Sequence, residues 1–203
     1  MIRRVSTVWL VDNVEPVVRD ASATRARLLA AARREFAAFG IAGARVDRIA
    51  ADAASNKAQI YHYFGSKDQL FDAVFAALID EVVRENPLDV DDLPGYAARL
   101  AEGYEQHPDT LRLVTWQRLE RSTEPPPAIA VKHTKAKIAE IAQAQADGRL
   151  SDRYPADVLL QAVLHVATMW ATTSPDMAWA LKLPSAAAQR STIERIVRDL
   201  LAT

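Results

Sequence analysis

The sequence predicts an all-α protein, and three observations carry that expectation. Apolar residues recur at helical spacing along most of the 203 residues. Capping residues and prolines punctuate those stretches. No segment alternates apolar and polar residues long enough to read as a convincing strand. The expected organisation is a flexible arm over 1–21, a three-helix helix-turn-helix unit over 22–67 and a larger helical unit over 68–203.

In residues 1–21 no period is visible, and Pro16 interrupts them. The first helix is expected over 24–39. Leu28, Ala32, Phe36 and Phe39 form its apolar stripe, and Gly40 follows as a left-handed terminus. A second helix is expected over 46–53, from Val46, Ile49, Ala50 and Ala53. Asn56 then caps a third helix over 57–63, with Gln59 three residues on and Ile60 and Phe64 turned inward. Gly65 ends it. Ser66, paired with Gln69, caps a fourth helix running to residue 85, where Asn86-Pro87 stops it. Further helices are expected over 93–106, 109–121, 127–147, 155–172 and 185–201, with a helical turn over 176–181.

Composition narrows the function. Half of the chain is hydrophobic and a quarter is charged, as in a globular protein. Without cysteine there is no disulfide, thiolate metal site or thiol nucleophile. No apolar run is long enough for a membrane span, so a cytoplasmic protein without membrane contact is expected. The net charge of -1 hides an asymmetry. Residues 24–67 hold eight basic and three acidic side chains, whereas 68–203 hold 14 and 20. That distribution suggests one part that binds a polyanion and another that does something else.

The helix-turn-helix gives the polyanion an identity. A short helix, a tight turn and a second short helix with a polar face present side chains to the major groove of DNA. Gln59 is the candidate for base readout, because a carboxamide pairs bidentately with adenine; its bland alternative is capping. Lys57 reaches a guanine or a phosphate. Tyr61 and His62 are expected to position the helix, alongside Asn56 and Ala58 at its start. Arg45 and Arg48 on the second helix are phosphate candidates, as are Thr24 and Arg25 on the first. Lys67 is placed to share a phosphate with the free N–H groups of the fourth helix.

These residues resemble the TetR family of bacterial transcriptional regulators. The match rests on Phe36, Phe39-Gly40, Val46, Ile49-Ala50, Ile60-Tyr61, Tyr63-Phe64, Ser66-Lys67 and Leu70. The resemblance implies a homodimer on double-stranded DNA with a palindromic operator, and it puts Tyr63 at the DNA edge. It also implies a C-terminal ligand-binding and dimerisation domain, with repression released by a small-molecule effector. Two departures stand out. Ala44-Arg45 replaces the Thr or Ser that usually begins the second helix, and Ala54-Ser55-Asn56 replaces a Gly-Val-Ser turn.

In the C-terminal part, Tyr104, Trp116, Met169, Trp170 and Trp179 are candidates to line an effector cavity. His107, Arg118, Arg121, His133 and His165 are candidates to orient a polar ligand; core packing is the competing role for each. Residues 158–170 are apolar nearly all round, which predicts a helix buried on both sides with His165 inside. The stripe of Ile193, Ile196, Val197, Leu200 and Leu201 suggests that this helix and the last one form a four-helix dimer interface. No metal site or cofactor is expected, since the histidines lack ligand spacing. No enzyme motif is found, so catalysis is not expected. The alternative function is a DNA-binding or architectural protein of the same fold without an effector.

Overall fold

The computed structural model describes residues 15–180 and 182–202, with side chains from residue 21 onward. Its elements are α1 (Glu15–Gly43), α2 (Val46–Asp52), α3 (Lys57–Phe64), α4 (Lys67–Glu85), α5 (Leu93–Gln106), α6 (Pro108–Glu120), α7 (Ala128–Ala146), α8 (Ala156–Thr168), α9 (Pro175–Ala180) and α10 (Ala186–Leu201). Among the described residues there is no strand. No described helix is long and apolar enough to cross a membrane.

The capping residues work as their spacing predicts. The Asn56 side chain accepts from the Gln59 backbone N–H at 3.0 Å, and Ser66 Oγ accepts from Gln69 N–H at 3.1 Å. Each satisfies a donor that a helix start would leave bare. Two helix ends differ from expectation. Helix α1 reaches back at least to Glu15, where the described residues begin, so Pro16 lies within it and not in a segment before it. The arm expected over 1–21 otherwise lies outside the described residues. Helix α8 ends at Thr168, four residues early, and the chain continues as turns.

Two cores form. The first packs Leu28, Phe36, Ile49, Ile60, Leu70 and Phe71, and it takes in Leu113 from α6. Phe36 meets Phe71 edge-on at 5.1 Å, a favoured aromatic geometry. The second joins Leu93, Tyr96 and Leu100 of α5 to Ile141, Leu160, Val163, Ile193 and Val197 of α7, α8 and α10. Phe39, read from the sequence as part of the α1 stripe, is half exposed instead.

Helix α6 packs on the first core through Leu113 and is bonded to the end of α1. Arg112 Nε donates to Ala37 O at 2.6 Å, and Trp116 Nε1 donates to the same oxygen at 3.3 Å. Glu120 Oε2 accepts from Ala42 N–H at 2.8 Å. Gly40 adopts φ 74°, ending the regular part of α1, and a Cβ there would lie 2.9 Å from the Trp116 ring. Nearer the middle of α1, Arg33 bridges Glu81 at 2.6 Å and Asp109 at 2.5 Å, linking α1 to α4 and α6.

The turn between α2 and α3 keeps its left-handed residue without glycine. Ala54 has φ 48° and is exposed. A Cβ in that conformation is strained by about 1 kcal/mol. Ala54→Gly is therefore expected to stabilise the protein by about 0.5 kcal/mol, after the greater chain entropy of glycine is set against the relief. Urea titration of both proteins checks this; a less stable variant contradicts it.

Candidate nucleic-acid interface

Helix α3 carries the exposed face. Lys57, Ala58, Gln59, Tyr61 and His62 are all exposed, Tyr63 is half-buried, and Ile60 and Phe64 point into the core. Asn56, also exposed, fixes the start of the helix. Gly65, at φ 78°, ends it and lets the chain turn into α4. Gln59 has a second partner, because Ser55 Oγ donates to its Oε1. Its carboxamide is held at the helix start with the NH2 end not engaged by that contact. Lys57 pairs with Asp47 of α2.

The start of α2 shows how the chain manages without the missing cap. Arg45 occupies the capping position with extended backbone and makes no side-chain cap. Glu35 of α1 takes that place: its Oε1 accepts from the Arg45 N–H at 2.8 Å and from Arg48 Nε at 2.7 Å. The carboxylate is buried, and burial alone would push its pKa up. The bonds from Arg48 and the Arg45 backbone outweigh that and hold the pKa below the ordinary glutamate value. A negative group at a helix N-terminus also opposes the helix dipole favourably.

Several candidates prove to be engaged inside the protein. Arg48 also donates to Gly43 O at 3.0 Å and lies 4.3 Å over the Phe39 ring. Thr24 is buried and accepts from Arg27 at 3.0 Å, so its hydroxyl faces the head rather than a ligand. Arg25 lies 5.3 Å over the Phe64 ring. Lys67 Nζ donates to Ala42 O and Ala44 O, each at 3.3 Å, so the ammonium clips the α1–α2 corner. It has three donors, and these bonds occupy two of them. Arg45 is exposed, at the edge of the same surface.

The candidate ligand residues separate into groups. Tyr104, Trp116 and Arg118 share a groove of about 620 Å³ with Leu111, Arg112 and Thr115. Tyr104 and His107 also border a small recess among α4, α5 and α6 that carries Glu81 and Glu85. The others are not gathered there. Arg121 is buried and holds α4 through Asp72 and through Asp68 at 3.0 Å. His133 pairs with Asp80 at 3.3 Å. Met169 packs on the second core, as does Trp170, which also lines a separate cavity of about 270 Å³ with Glu105 and Arg190. Trp179, on α9, is 92% exposed. His165 is exposed rather than inside, because one side of α8 has no cover in a single chain. Among the described residues no group of three or more metal-ligand side chains occurs.

Comparison with known proteins assigns both halves. Residues 28–74 match the model for bacterial regulatory proteins of the tetR family. Residues 92–199 match the model for the tetracyclin repressor-like C-terminal domain. The HTH-type transcriptional repressor SCO4008 of Streptomyces coelicolor is 40% identical over 161 residues, covering 78% of this chain and 83% of that protein. The chain belongs to the TetR family.

As a TetR-family protein it is a DNA-binding transcriptional regulator. It is also similar to NicS of Pseudomonas putida, named an HTH-type transcriptional repressor, at 32% identity over half of each chain. The crystal structure of the regulator SCO4942 from Streptomyces coelicolor has a TM-score of 0.78 at 35% identity, covering 87% of this chain and 97% of that one. AibR, solved with isovaleryl coenzyme A and operator DNA, shares the fold at TM-score 0.64 and 17% identity, with 86% and 97% covered.

Sequence reasoning missed the residues that frame this TetR-family head. Glu35 counted only as a charge, because its partners lie ten and 13 residues away and nothing local marks them. The Lys137–Tyr96 bond of 2.7 Å, at the edge of the second core, was likewise invisible. Burial there pushes the lysine pKa down and the phenol up.

Because the folded Glu35 pKa is depressed, its stabilisation is complete above about pH 4.3, the unfolded value, and is lost as pH falls through the folded value. Glu35→Gln should cost about 2 kcal/mol at pH 7, with the gap to wild type narrowing below about pH 4.3. Urea midpoints of both proteins at pH 7 and pH 3.5 check this; a gap that does not change with pH contradicts it.

Proposed function

We propose that this TetR-family regulator represses transcription in the cytoplasm by binding a palindromic operator as a homodimer, and that a small-molecule effector releases it. The observation that carries the DNA part is the face of α3. Lys57, Gln59, Tyr61 and His62 stand exposed on a helix fixed at both ends. Gln59 contacts a base, with Lys57 beside it on a base or phosphate. Tyr61, His62 and Tyr63 contact sugar and phosphate. Arg45 and Lys67 with the N-terminus of α4 hold phosphates at the two edges. Arg25 adds a further cation, while Thr24 and Arg48 support the frame. The head spans 22–67 and the effector and dimer part spans 68–203.

The uncovered side of α8 supports the dimer. Val158 is 48% exposed and borders a groove of about 660 Å³ with Ile138 and Leu164. Contiguous apolar surface of this kind usually marks an interface. In α10, Ile193 and Val197 are spent on the chain's own core, so Ile196 and Leu200 are left for a partner copy. A single head makes too few contacts for a specific site, whereas two heads read two half-sites. The grooves beside α6 and the ligand in the AibR complex support an effector.

Selection of bound sequences from random duplex DNA by the purified protein tests the reading. The expected result is a two-fold motif with half-sites about one helical turn apart. Salt-sensitive binding without enrichment would overturn it. Gln59→Ala should change the tolerated bases, by about 1–3 kcal/mol at the contacted pair. Lys67→Ala should instead weaken all sequences alike and flatten the salt dependence. Identical motifs for Gln59→Ala and wild type would remove Gln59 from base readout.

Val158→Glu should shift the protein to a monomer in sedimentation velocity and weaken operator binding by at least about tenfold. A dimer of unchanged affinity contradicts the interface.

A further inference from the structure

Helix α6 has two working sides. One is bonded to the end of α1 through Arg112, Trp116 and Glu120. The other, with Leu111, Thr115 and Arg118 at helical spacing, lines the groove of about 620 Å³. Tyr104 of α5 and Ala171 and Thr172 beyond α8 close its other walls. The size suits a small organic ligand.

The lining is unbalanced in charge. It contains two guanidinium groups, Arg112 and Arg118, and no carboxylate. Arg118 is exposed and has no ion-pair partner among the described residues. Half of the arginines with described side chains hold a carboxylate, Arg33, Arg48 and Arg121 among them, whereas both arginines of this groove hold none. An unpaired cation beside an aromatic wall calls for an anion with an apolar body. Trp116 and Leu111 supply the surface for that body.

Arg112 and Trp116 belong to both sides. Arg112 donates to Ala37 O at 2.6 Å and to Ala38 O at 3.3 Å, and the Trp116 indole shares Ala37 O. These carbonyls end α1, just before the turn at Gly40 that leads into α2. An anion adds a full opposite charge and a bidentate geometry that a backbone carbonyl does not offer the guanidinium. An anion in the groove therefore competes with α1 for the Arg112 guanidinium.

We propose that this groove is the effector site, that it takes an organic anion with an aromatic or aliphatic body, and that the anion acts by drawing Arg112 off the end of α1. The carboxylate, sulfonate or phosphate of the ligand bonds Arg118 and Arg112, and its body lies on Trp116. The loosened α1 terminus no longer fixes the corner that Arg45 and Lys67 share, and the head loses its grip on the operator. This rests on the effector-released reading above.

Two dyes with the same rings test it on the full-length protein. 1-Anilinonaphthalene-8-sulfonate is an anion, and N-phenyl-1-naphthylamine is its uncharged counterpart. The sulfonate should bind wild type about tenfold or more tightly than the amine. Arg118→Gln should bring the two affinities within about twofold, and Arg118→Lys should restore part of the preference. Saturating sulfonate should weaken wild-type binding to the enriched duplex and affect Arg118→Gln much less. Equal affinities for the two dyes, no binding of either, or an undiminished preference in Arg118→Gln would each overturn the proposal. Duplex binding without dye is read in the same titrations. If it holds while the dyes fail to discriminate, the anion site falls and the regulator stands; if it is absent, the regulator reading falls first.

Discussion

Trp116 and Glu120 of α6 occupy the space where a side chain on Gly40 would be, and much of the molecule depends on that close approach. It lets α6 reach the last carbonyls of α1 and the Ala42 N–H just beyond. At the far end of α6, Arg121 takes hold of α4 through Asp68 and Asp72. The first core accordingly includes Leu113. The helix-turn-helix head is thus mounted on α6 by both the end of α1 and the start of α4. Helix α6 contacts the two elements that flank α2 and α3.

Within the head, charge is spent before it is displayed. The basic surplus of residues 24–67 suggests a broadly cationic surface, yet Arg33, Arg34, Arg48 and Lys57 all hold carboxylates. These pairs set the angle between helices, and Glu35 does so at the point where the usual hydroxyl cap is absent. The cations of 24–67 that hold no carboxylate are Arg25, Arg27, Arg45 and Lys67. They surround α3 rather than lying on it, an arrangement that suits phosphate contacts at the rim and base contacts at the centre.

Local chemistry was legible in the sequence, and tertiary commitment was not. Asn56 and Ser66 could be placed because a cap and the N–H it satisfies lie three residues apart. Helices α5, α6, α7 and α10 begin or end within a residue or two of the prolines, glycine and serine that mark them. Pro16 misled, since the described part of α1 includes it. The inward role of Arg48, the pairing of Lys57 and the burial of Thr24 each depend on a distant partner. His165 was read as buried because an apolar helix implies cover on all sides, although one chain provides it on only one. For the cavity, periodicity gave the faces of α6 but not which face turns toward α1. Arg112, not singled out from the sequence, lines that groove, and Trp179 stands exposed on α9.

The surface proposed to grip DNA runs from Arg45 through α3 to the start of α4. Hydrogen–deuterium exchange of the full-length protein, with and without the duplex enriched by selection, tests it most directly. DNA is expected to slow exchange most across residues 55–67, with a smaller effect around Arg45 and none at α9. Protection confined to the C-terminal helices, with 55–67 unchanged, would contradict it.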